Sequence, residues 1–391
     1  MAAAGIGDAA GIGDTVPVDG IHRAEHDASA ARLRGACISS LVPALLGRAA
    51  GPVPGWLPDL VRHAEQVVLL TLDGLGWRQL HDRLGRLPAL AAGIGGPLTS
   101  VAPTTTATAL TSLATGLVPA RHGILGYRML VGGEILNVLR WSTEHGDART
   151  RIPVHSVQPV AAFGGSGAPS VTRGDFASTG FTAAHLGGSD LVGWAVPSSM
   201  VVEVRRLLRD GGRFVYAYYD GIDKVAHRFG LGEHYDAELR FVDGLVADLV
   251  DVLPPGAVLV VTSDHGQVDV GESVRMPSPE LMGCVALLSG EGRFRWLHAR
   301  EGAAADLQAV AQADHGDEAW VVSCQQMVEE GWFGGALAPA VAARIGDVAL
   351  VARAPVAFLD PADTGETRLA SRHGSLTPDE MLVPLLAWPA P

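Results

Sequence analysis

Three apolar segments of this chain end in acidic or imidazole side chains. They are residues 67–72 (VVLLTL) before Asp73, residues 213–219 (RFVYAYY) before Asp220, and residues 257–263 (AVLVVTS) before Asp264 and His265. Short runs rich in Val, Leu and aromatic residues are typical of buried parallel strands. Because ligand sites in open parallel sheets gather beyond the carboxyl ends of the strands, we expect these side chains to share one pocket. The sequence therefore predicts an α/β fold with its functional site at one edge of the sheet.

The same strand ends carry the ligand types of a divalent metal site. Asp223 and His227 follow the second apolar run four residues apart, a spacing that places both on one face of a helix. Carboxylate oxygens and imidazole nitrogens suit zinc or manganese, and there are enough of them for two ions. An isolated Asp-x-x-x-His pair is common in proteins. The prediction therefore depends on independent strands converging on the same edge.

A threonine-rich segment supplies a candidate nucleophile. Residues 104–111 read TTTATALT and include Thr104, Thr105, Thr106 and Thr108. A threonine hydroxyl is a weak nucleophile until a metal lowers its pKa and holds it in line. The alternative interpretation is an ordinary polar helix start, since Thr is a good N-cap. The two interpretations are compatible, because a helix N-terminus also favours an anionic substrate.

Length, charge and cysteine content limit the domain organisation, the partners and the kinds of site that the chain can have. The chain has 391 residues, 48% of them hydrophobic, which allows one large domain with an inserted lobe or two domains. A formal charge of −13 argues against a nucleic-acid polymer as partner. The three cysteines, Cys37, Cys284 and Cys324, lie far apart and indicate neither a disulfide framework nor a thiolate zinc site.

Residues 1–25 are expected to form a disordered tail. They contain no long apolar segment and no early Lys or Arg, so they do not read as a secretory signal. The chain has no run of 18 or more apolar residues, which predicts no membrane span and no membrane partner. A cytoplasmic location is the expectation from these features.

The predicted core is interrupted by one small lobe. Amphipathic helices are predicted at residues 28–46, 197–210 and 233–250. Residues 130–190 are predicted to be loop-rich, and residues 348–352 to return to the core after the lobe. We therefore assign residues 26–273 and 346–391 to the α/β core, and residues 274–345 to an inserted α+β lobe that covers the site.

Five segments in a fixed order carry a family resemblance. They are LTLDG (70–74), PTTTATALTSLATGLVPARHGI (103–124), YYDGIDKVAH (218–227), SDHG (263–266) and RHGSLT (372–377). Together they resemble the alkaline phosphatase superfamily, and within it the type I phosphodiesterase / nucleotide pyrophosphatase family. The resemblance implies a three-layer α/β/α sandwich with a mainly parallel central sheet, and metal-dependent hydrolysis of phosphoesters.

The resemblance also implies a role for particular residues. The family pattern P-T-x-T places the nucleophile at Thr106, with Thr115 and Gly116 as the anchor of the alignment. The implied ligands are Asp73, Thr106, Asp264 and His265 for one ion, and Asp223, His227 and His373 for the other. Because three of these ligands are imidazoles, zinc is favoured over manganese for the two ions. The choice of His373 depends on the resemblance alone.

Two departures from the family pattern concern the substrate rather than the metals. Residues 107–110 read ATAL where family members commonly have Phe-Pro-Asn-His. Tyr127 stands where many members have an Asn that contacts a phosphate oxygen. A tyrosine hydroxyl can donate a hydrogen bond in place of the amide, so Tyr127 is a candidate substrate-binding residue.

The predicted activity is that of a phosphodiesterase or nucleotide pyrophosphatase acting on small phosphoesters or nucleotides. Phosphomonoester and phosphonate hydrolysis are the alternatives within the superfamily. No cysteine lies in a C-x-P-x-R segment, which argues against a sulfatase, and no G-N-S lies near residues 100–110, which argues against a phosphoglycerate mutase. A non-catalytic protein stabilised by metal is the remaining alternative. It is disfavoured because four protein ligands normally close a structural site.

Overall fold

The computed structural model describes residues 35–47, 54–363 and 369–391. The predicted tail at residues 1–25 lies outside the described residues, as does the first part of the helix predicted at 28–46. Within the described ranges, no helix combines the length and the apolar character that a membrane crossing requires.

Strands and helices alternate along much of the described chain. The strands are β1 (Gln66–Leu72), β2 (Ile94–Thr99), β3 (Arg128–Val131), β4 (Glu134–Asn137), β5 (Ser142–Thr143), β6 (Gly146–Asp147), β7 (Pro169–Arg173), β8 (Asp190–Trp194), β9 (Phe214–Tyr219), β10 (Ala257–Thr262), β11 (Val268–Asp269), β12 (Val274–Arg275), β13 (Val285–Glu291), β14 (Phe294–Ala299), β15 (Ala319–Ser323), β16 (Val348–Ala352), β17 (Ala357–Phe358), β18 (Ser371–Arg372) and β19 (Leu382–Pro389). The α-helices are α1 (Ile38–Gly47), α2 (Asp59–Arg62), α3 (Trp77–His81), α4 (Pro88–Ala91), α5 (Thr106–Thr115), α6 (Pro119–His122), α7 (Val154–Val157), α8 (Gly180–His185), α9 (Pro197–Arg209), α10 (Gly221–Phe229), α11 (Glu233–Asp251), α12 (Pro279–Cys284), α13 (Ala304–His315), α14 (Cys324–Glu329), α15 (Pro339–Ala342) and α16 (Pro378–Met381).

A seven-stranded sheet with the order β2-β19-β10-β1-β9-β7-β8 forms the centre of the molecule. Strand β1 pairs in parallel with β9 and β10, and β7 pairs in parallel with β8 and β9. Strand β19 runs antiparallel to both of its neighbours, β10 and β2. The predicted mainly parallel sheet is therefore confirmed, with β19 as its antiparallel member.

The side chains of β1 alternate between two hydrophobic cores, one on each face of the sheet. Val67 and Leu69 pack in the core that includes residues of α1 and α5. Val68 and Leu70 pack in the other core, with residues of α9 and α11. Because helices cover both faces, β1, β9 and β10 are buried along nearly their whole length. The fold is the predicted three-layer α/β/α sandwich.

The prediction of a loop-rich segment at residues 130–190 is wrong in part. This segment holds most of a small four-stranded sheet, β3-β4-β5-β6, together with the central strand β7 and the start of the edge strand β8. Strand β7 begins with Pro169, and β8 is largely solvent-accessible. Neither strand therefore shows the continuous apolar run that marks β1, β9 and β10.

The lobe contains its own antiparallel sheet, with the order β13-β14-β16-β15. One face of this sheet, including Trp296 and Ala349, packs into the main core. The other face, including Leu297 and Leu350, packs with Leu307 of α13. The assignment of residues 348–352 to the α/β core is wrong, because β16 pairs with β14 and β15. Its apolar sequence reads like a core strand because both of its faces are buried.

Candidate metal and phosphoester site

The three strands predicted to share a pocket lie side by side, in the order β10-β1-β9. Asp264 follows β10, Asp73 follows β1, and Asp223 lies in the first turn of α10, directly after β9. The backbone N–H of Asp223 donates to the backbone oxygen of Asp73 at 3.1 Å. The strand ends thus bring these carboxylates together at one edge of the sheet, as the sequence predicted.

One group of candidate ligands consists of Asp73, Asp264 and His265, all of them buried. The Nε2 atom of His265 lies 3.4 Å from Oδ1 of Asp73 and 3.3 Å from Oδ2 of Asp264. Among the described residues these two carboxylate oxygens have no hydrogen-bond partner. Buried acceptors without donors are costly unless a cation neutralises them. Their arrangement therefore fits a divalent ion.

A second group surrounds Asp223. Its Oδ1 atom lies 3.3 Å from Nε2 of His227 and 3.9 Å from Nε2 of His373. The rings of His265 and His373 stack with their centroids 3.5 Å apart. Ligand atoms of Asp223, His265 and His373 lie within 4.8 Å of one another. His265 is thus within reach of both groups, whereas the resemblance assigned it to one ion.

Backbone carbonyls orient all three imidazoles in the same way. The hydrogen bonds join Nδ1 of His227 to the oxygen of Ser371 (2.7 Å), Nδ1 of His265 to that of Gly266 (3.1 Å), and Nδ1 of His373 to that of Thr104 (2.9 Å). A carbonyl only accepts, so Nδ1 carries the proton in each pair. In a neutral ring this leaves Nε2 with its lone pair, which is the form that binds a metal.

Burial shifts the protonation of this cluster away from its ordinary state. Desolvation, reinforced by the neighbouring carboxylate of Asp264, raises the pKa of Asp73 well above its usual value. Burial also raises the pKa of Asp264. Burial, followed by the effects of His265 and His227, lowers the pKa of His373 well below its usual value. A cation reverses the shifts of the two carboxylates, because it favours their ionised form, and it reinforces the shift of His373, because it favours the neutral imidazole.

Thr106 is the threonine whose hydroxyl touches the candidate ligands. Its Oγ1 atom lies 3.0 Å from Nε2 of His265, and the residue opens helix α5. The first N–H groups of a helix have no partner within the helix and favour an anion. Thr104 has a different role: its hydroxyl donates to the backbone oxygen of Ser375 and accepts from Gly374 N–H. Thr104 therefore ties down the segment that carries His373.

Two polar side chains that hold the carboxylates were not predicted. The hydroxyl of Tyr218 donates to Oδ2 of Asp73. The side-chain amide of Gln267 donates to Oδ1 of Asp223 at 2.5 Å. Tyr218 lies within the YYDG motif, and Gln267 directly follows the SDHG motif. Their closeness in sequence to predicted ligands is the signal from which they could have been predicted.

The backbone conformation and close contacts at position 74 explain why a glycine follows Asp73. The φ of Gly74, +76°, lies in the left-handed region, and its N–H donates to Oδ1 of Asp264 at 3.2 Å. A Cβ atom at this position would lie 3.0 Å from the Cα of Asp223. A side chain would therefore both strain the turn and push apart two of the candidate ligands.

A cleft of about 270 Å³ opens beside the two ligand groups. It is lined by Thr105, Thr106, Tyr127, Leu139, Arg140, Asp223, His227, Glu291, Gly292, Leu369, Arg372 and His373. Tyr127 accepts a hydrogen bond from the side-chain amide of Asn137 at 2.7 Å, and its N–H donates to Glu291 at 2.8 Å. Because Glu291 belongs to the lobe, the lobe forms part of the cleft wall. Three of these cleft residues, Arg140, Glu291 and Arg372, were not predicted from the sequence.

A sequence profile of the type I phosphodiesterase / nucleotide pyrophosphatase family matches residues 67–376. The chain belongs to this family. The match begins in β1 and ends just beyond His373, so it includes all of the predicted ligands and Thr106. This type I phosphodiesterase family member is a hydrolase of phosphoester bonds, and it has an alkaline-phosphatase-like fold. The family is metal-dependent, in keeping with the two ligand groups.

Solved structures share the fold of this type I phosphodiesterase family member at low sequence identity. Human ectonucleotide pyrophosphatase / phosphodiesterase 5 is 16% identical with a TM-score of 0.64, and the match covers 82% of this chain and 87% of that one. The murine protein is 15% identical with a TM-score of 0.62 and the same coverage. An inactive threonine-to-alanine variant of the murine protein in complex with AMP is 16% identical, with a TM-score of 0.61 and coverage of 83% and 87%. No curated protein sequence matches the chain.

Proposed function

We propose that this chain is a phosphodiesterase or nucleotide pyrophosphatase in which Thr106 is the nucleophile beside a two-zinc site. The observation that carries the proposal is the position of the Thr106 hydroxyl. It lies at the start of α5 and 3.0 Å from His265, the residue within reach of both ligand groups. A nucleophile, an anion-favouring helix end and cation ligands therefore meet at one point.

Seven residues would hold the ions. Asp73, Thr106, Asp264 and His265 would hold one, and Asp223, His227 and His373 the other. When bound, such ions supply Lewis-acid stabilisation of the phosphoryl oxygens and lower the pKa of a hydroxyl nucleophile. Zinc is favoured over manganese because three of the seven ligands are imidazoles.

The protein's own groups position the nucleophile and the phosphate. The free N–H groups at the start of α5 are suited to donate to non-bridging phosphate oxygens. Tyr127 lines the cleft together with Thr106, and its hydroxyl, which accepts from Asn137, would be the group that contacts a phosphate oxygen. The hydrogen bonds from Tyr218 and Gln267 fix the carboxylates of Asp73 and Asp223. Such supporting contacts hold ligands in their working orientation.

A preference for diesters over monoesters is the first prediction from this arrangement. A diester phosphate carries one negative charge, which a neutral donor such as Tyr127 serves, whereas a monoester dianion usually needs a further cationic contact. We expect kcat/KM for bis-p-nitrophenyl phosphate and for a p-nitrophenyl nucleotide ester to exceed that for p-nitrophenyl phosphate by about tenfold or more. Because the murine relative binds AMP, we expect the p-nitrophenyl nucleotide ester to be a better substrate than bis-p-nitrophenyl phosphate.

The opposite ranking would identify a different hydrolase. A tenfold preference for p-nitrophenyl phosphate would replace the diesterase proposal with a phosphomonoesterase and leave the metal site intact. Faster cleavage of a phosphonate than of all three esters would favour phosphonate hydrolysis. Protein that binds metal but cleaves none of these compounds would indicate that the ions have a structural role.

Metal content is the second prediction. Two ligand groups predict about two zinc ions per chain in protein purified without chelator, measured by elemental analysis. Asp264→Asn is expected to lower that content, because it removes a buried carboxylate charge whose Oδ2 atom has no hydrogen-bond partner among the described residues. Asp175→Asn, at an exposed carboxylate paired with Arg173, is the control that should keep both ions. A content below one ion per chain, unchanged after zinc is added, would contradict the two-ion proposal.

A further inference from the structure

Arg140 is a cation that lines the cleft of the candidate site. It follows β4, is exposed to solvent and lines the cleft that also contains Thr106. Its backbone N–H donates to Asn137, and the next residue, Trp141, is fully buried with its indole N–H bonded to the oxygen of Ile152 at 2.8 Å. The backbone that carries Arg140 is therefore anchored on both sides. Its guanidinium makes no hydrogen bond or ion pair with any residue that the structure describes.

A second, larger cavity begins at the same arginine. This cavity has a volume of about 800 Å³ and shares Tyr127 and Arg140 with the cleft of about 270 Å³. Sites for drug-sized ligands range from about 300 to 1,000 Å³. The cleft at Thr106 alone is thus small for a substrate with a large group on each side of the phosphate. The second cavity has room for one of those groups, and a substrate that occupies both cavities would lie beside Tyr127 and Arg140, which line both.

Apart from Arg140, the charged residues that line the second cavity are one cation, Arg128, and four carboxylates, Glu134, Glu144, Asp360 and Asp363. Arg128 forms ion pairs with Asp360 and Asp363. Glu134 pairs with Arg151 at 3.1 Å. The side chain of Glu144 is 82% exposed, so solvent screens its charge. Within the described part of the cavity wall, Arg140 is therefore the cation left to bind an anion.

We propose that Arg140 is a specificity-determining residue that binds the second phosphate of a pyrophosphate-linked substrate. Guanidinium groups bind phosphate through paired, charge-assisted hydrogen bonds, and a diester with an uncharged leaving group has no second phosphate with which to form them. The inference rests on the proposed function and narrows it. Among diesters, the chain prefers those whose scissile phosphate is joined to another phosphate, such as dinucleoside pyrophosphates.

Two substrates that transfer the same adenylyl group test this inference. Adenosine 5′-p-nitrophenyl phosphate has one negative charge, and diadenosine 5′,5″-pyrophosphate adds a second phosphate on the leaving side. We expect Arg140→Gln to lower kcat/KM for the pyrophosphate by about tenfold or more, mainly through KM, because a charged hydrogen bond is lost. The p-nitrophenyl ester should change less than about twofold. Arg140→Lys keeps the positive charge but lacks the planar guanidinium group. This variant should retain part of the preference for the pyrophosphate over the p-nitrophenyl ester.

Arg121→Gln is the matched control. Arg121 is also exposed, lies in α6 and lines neither cavity, so the same loss of charge there should leave both substrates unaffected. An equal fall for both substrates in Arg140→Gln, or no change in their ratio, would overturn the inference while the proposed function stands. Wild-type protein that cleaves neither substrate would overturn the proposed function and the inference with it.

Discussion

Thr106→Ala is expected to lower turnover of a p-nitrophenyl nucleotide ester by roughly a thousand-fold or more, as loss of a nucleophile does in other hydrolases. The hydroxyl of Thr106 is the one beside His265, and alanine removes it together with the γ-methyl group. Fold should be preserved, since alanine is a good helix former and Thr106 opens α5. Steady-state kinetics, with thermal unfolding measured in parallel, provide the test.

Thr108→Ala is the control for this change. Thr108 is fully buried in the same helix, and its hydroxyl has no hydrogen-bond partner in the described parts of the chain. The same substitution there should keep activity within a few-fold of wild type. If Thr106→Ala were to remain as active as Thr108→Ala, the nucleophile would have to be water or another threonine. Thr104 is unsuitable as a control, because it holds Gly374 next to His373.

Arg293→Met is expected to lower the free energy of unfolding by about 3–5 kcal/mol, the cost of leaving a buried charge without its partner. Arg293 and Glu380 are fully buried and joined by two hydrogen bonds of 2.8 Å. Arg293 also donates to the backbone oxygens of Ala354 and Val356. Denaturation by urea, followed by circular dichroism, measures the change.

The Arg275–Glu318 pair provides the matched control within the lobe. These side chains are 38% and 30% exposed, so Arg275→Met should cost less than about 1 kcal/mol. Equal effects of the two methionine variants would mean that burial does not decide the contribution of Arg293.

The buried ion pair also connects the lobe to the ligands. Glu380 accepts from the N–H of Ser375 and from the hydroxyl of Thr377, and its backbone oxygen accepts from the N–H of Gly266. These contacts hold the segments that carry His373 and His265. We therefore expect Arg293→Met to reduce metal retention as well as stability, while Arg275→Met leaves metal retention unchanged.

The sequence predicted those parts of the site that short segments encode. The runs before Asp73 and Asp264 read as buried strands because both faces of the sheet are covered, and the common direction of parallel strands then brought their ends together. Helices α9 and α11 were predicted within a residue at each end, since their apolar residues follow the helical period. The roles assigned to Thr106 and to the ligands stay predictions until tested.

Features that depend on distant pairing were not predicted. Strand β16 has the composition of a core strand, and only its partners, β14 and β15, show that it belongs to the lobe. Arg140 reaches the cleft through the fold of a segment predicted as loop, and Arg293 meets Glu380 across 87 positions of sequence. No local periodicity or motif marks such contacts.

The position of β19 has a consequence for synthesis on the ribosome. This strand fills the space between β10 and β2, yet it is formed by residues 382–389, nearly 300 positions after β2. A nascent chain thus exposes an unpaired edge of β10 until those residues leave the exit tunnel. Unpaired edges of this kind promote association between chains. Completion of the central sheet must therefore wait until residues 382–389 have been translated.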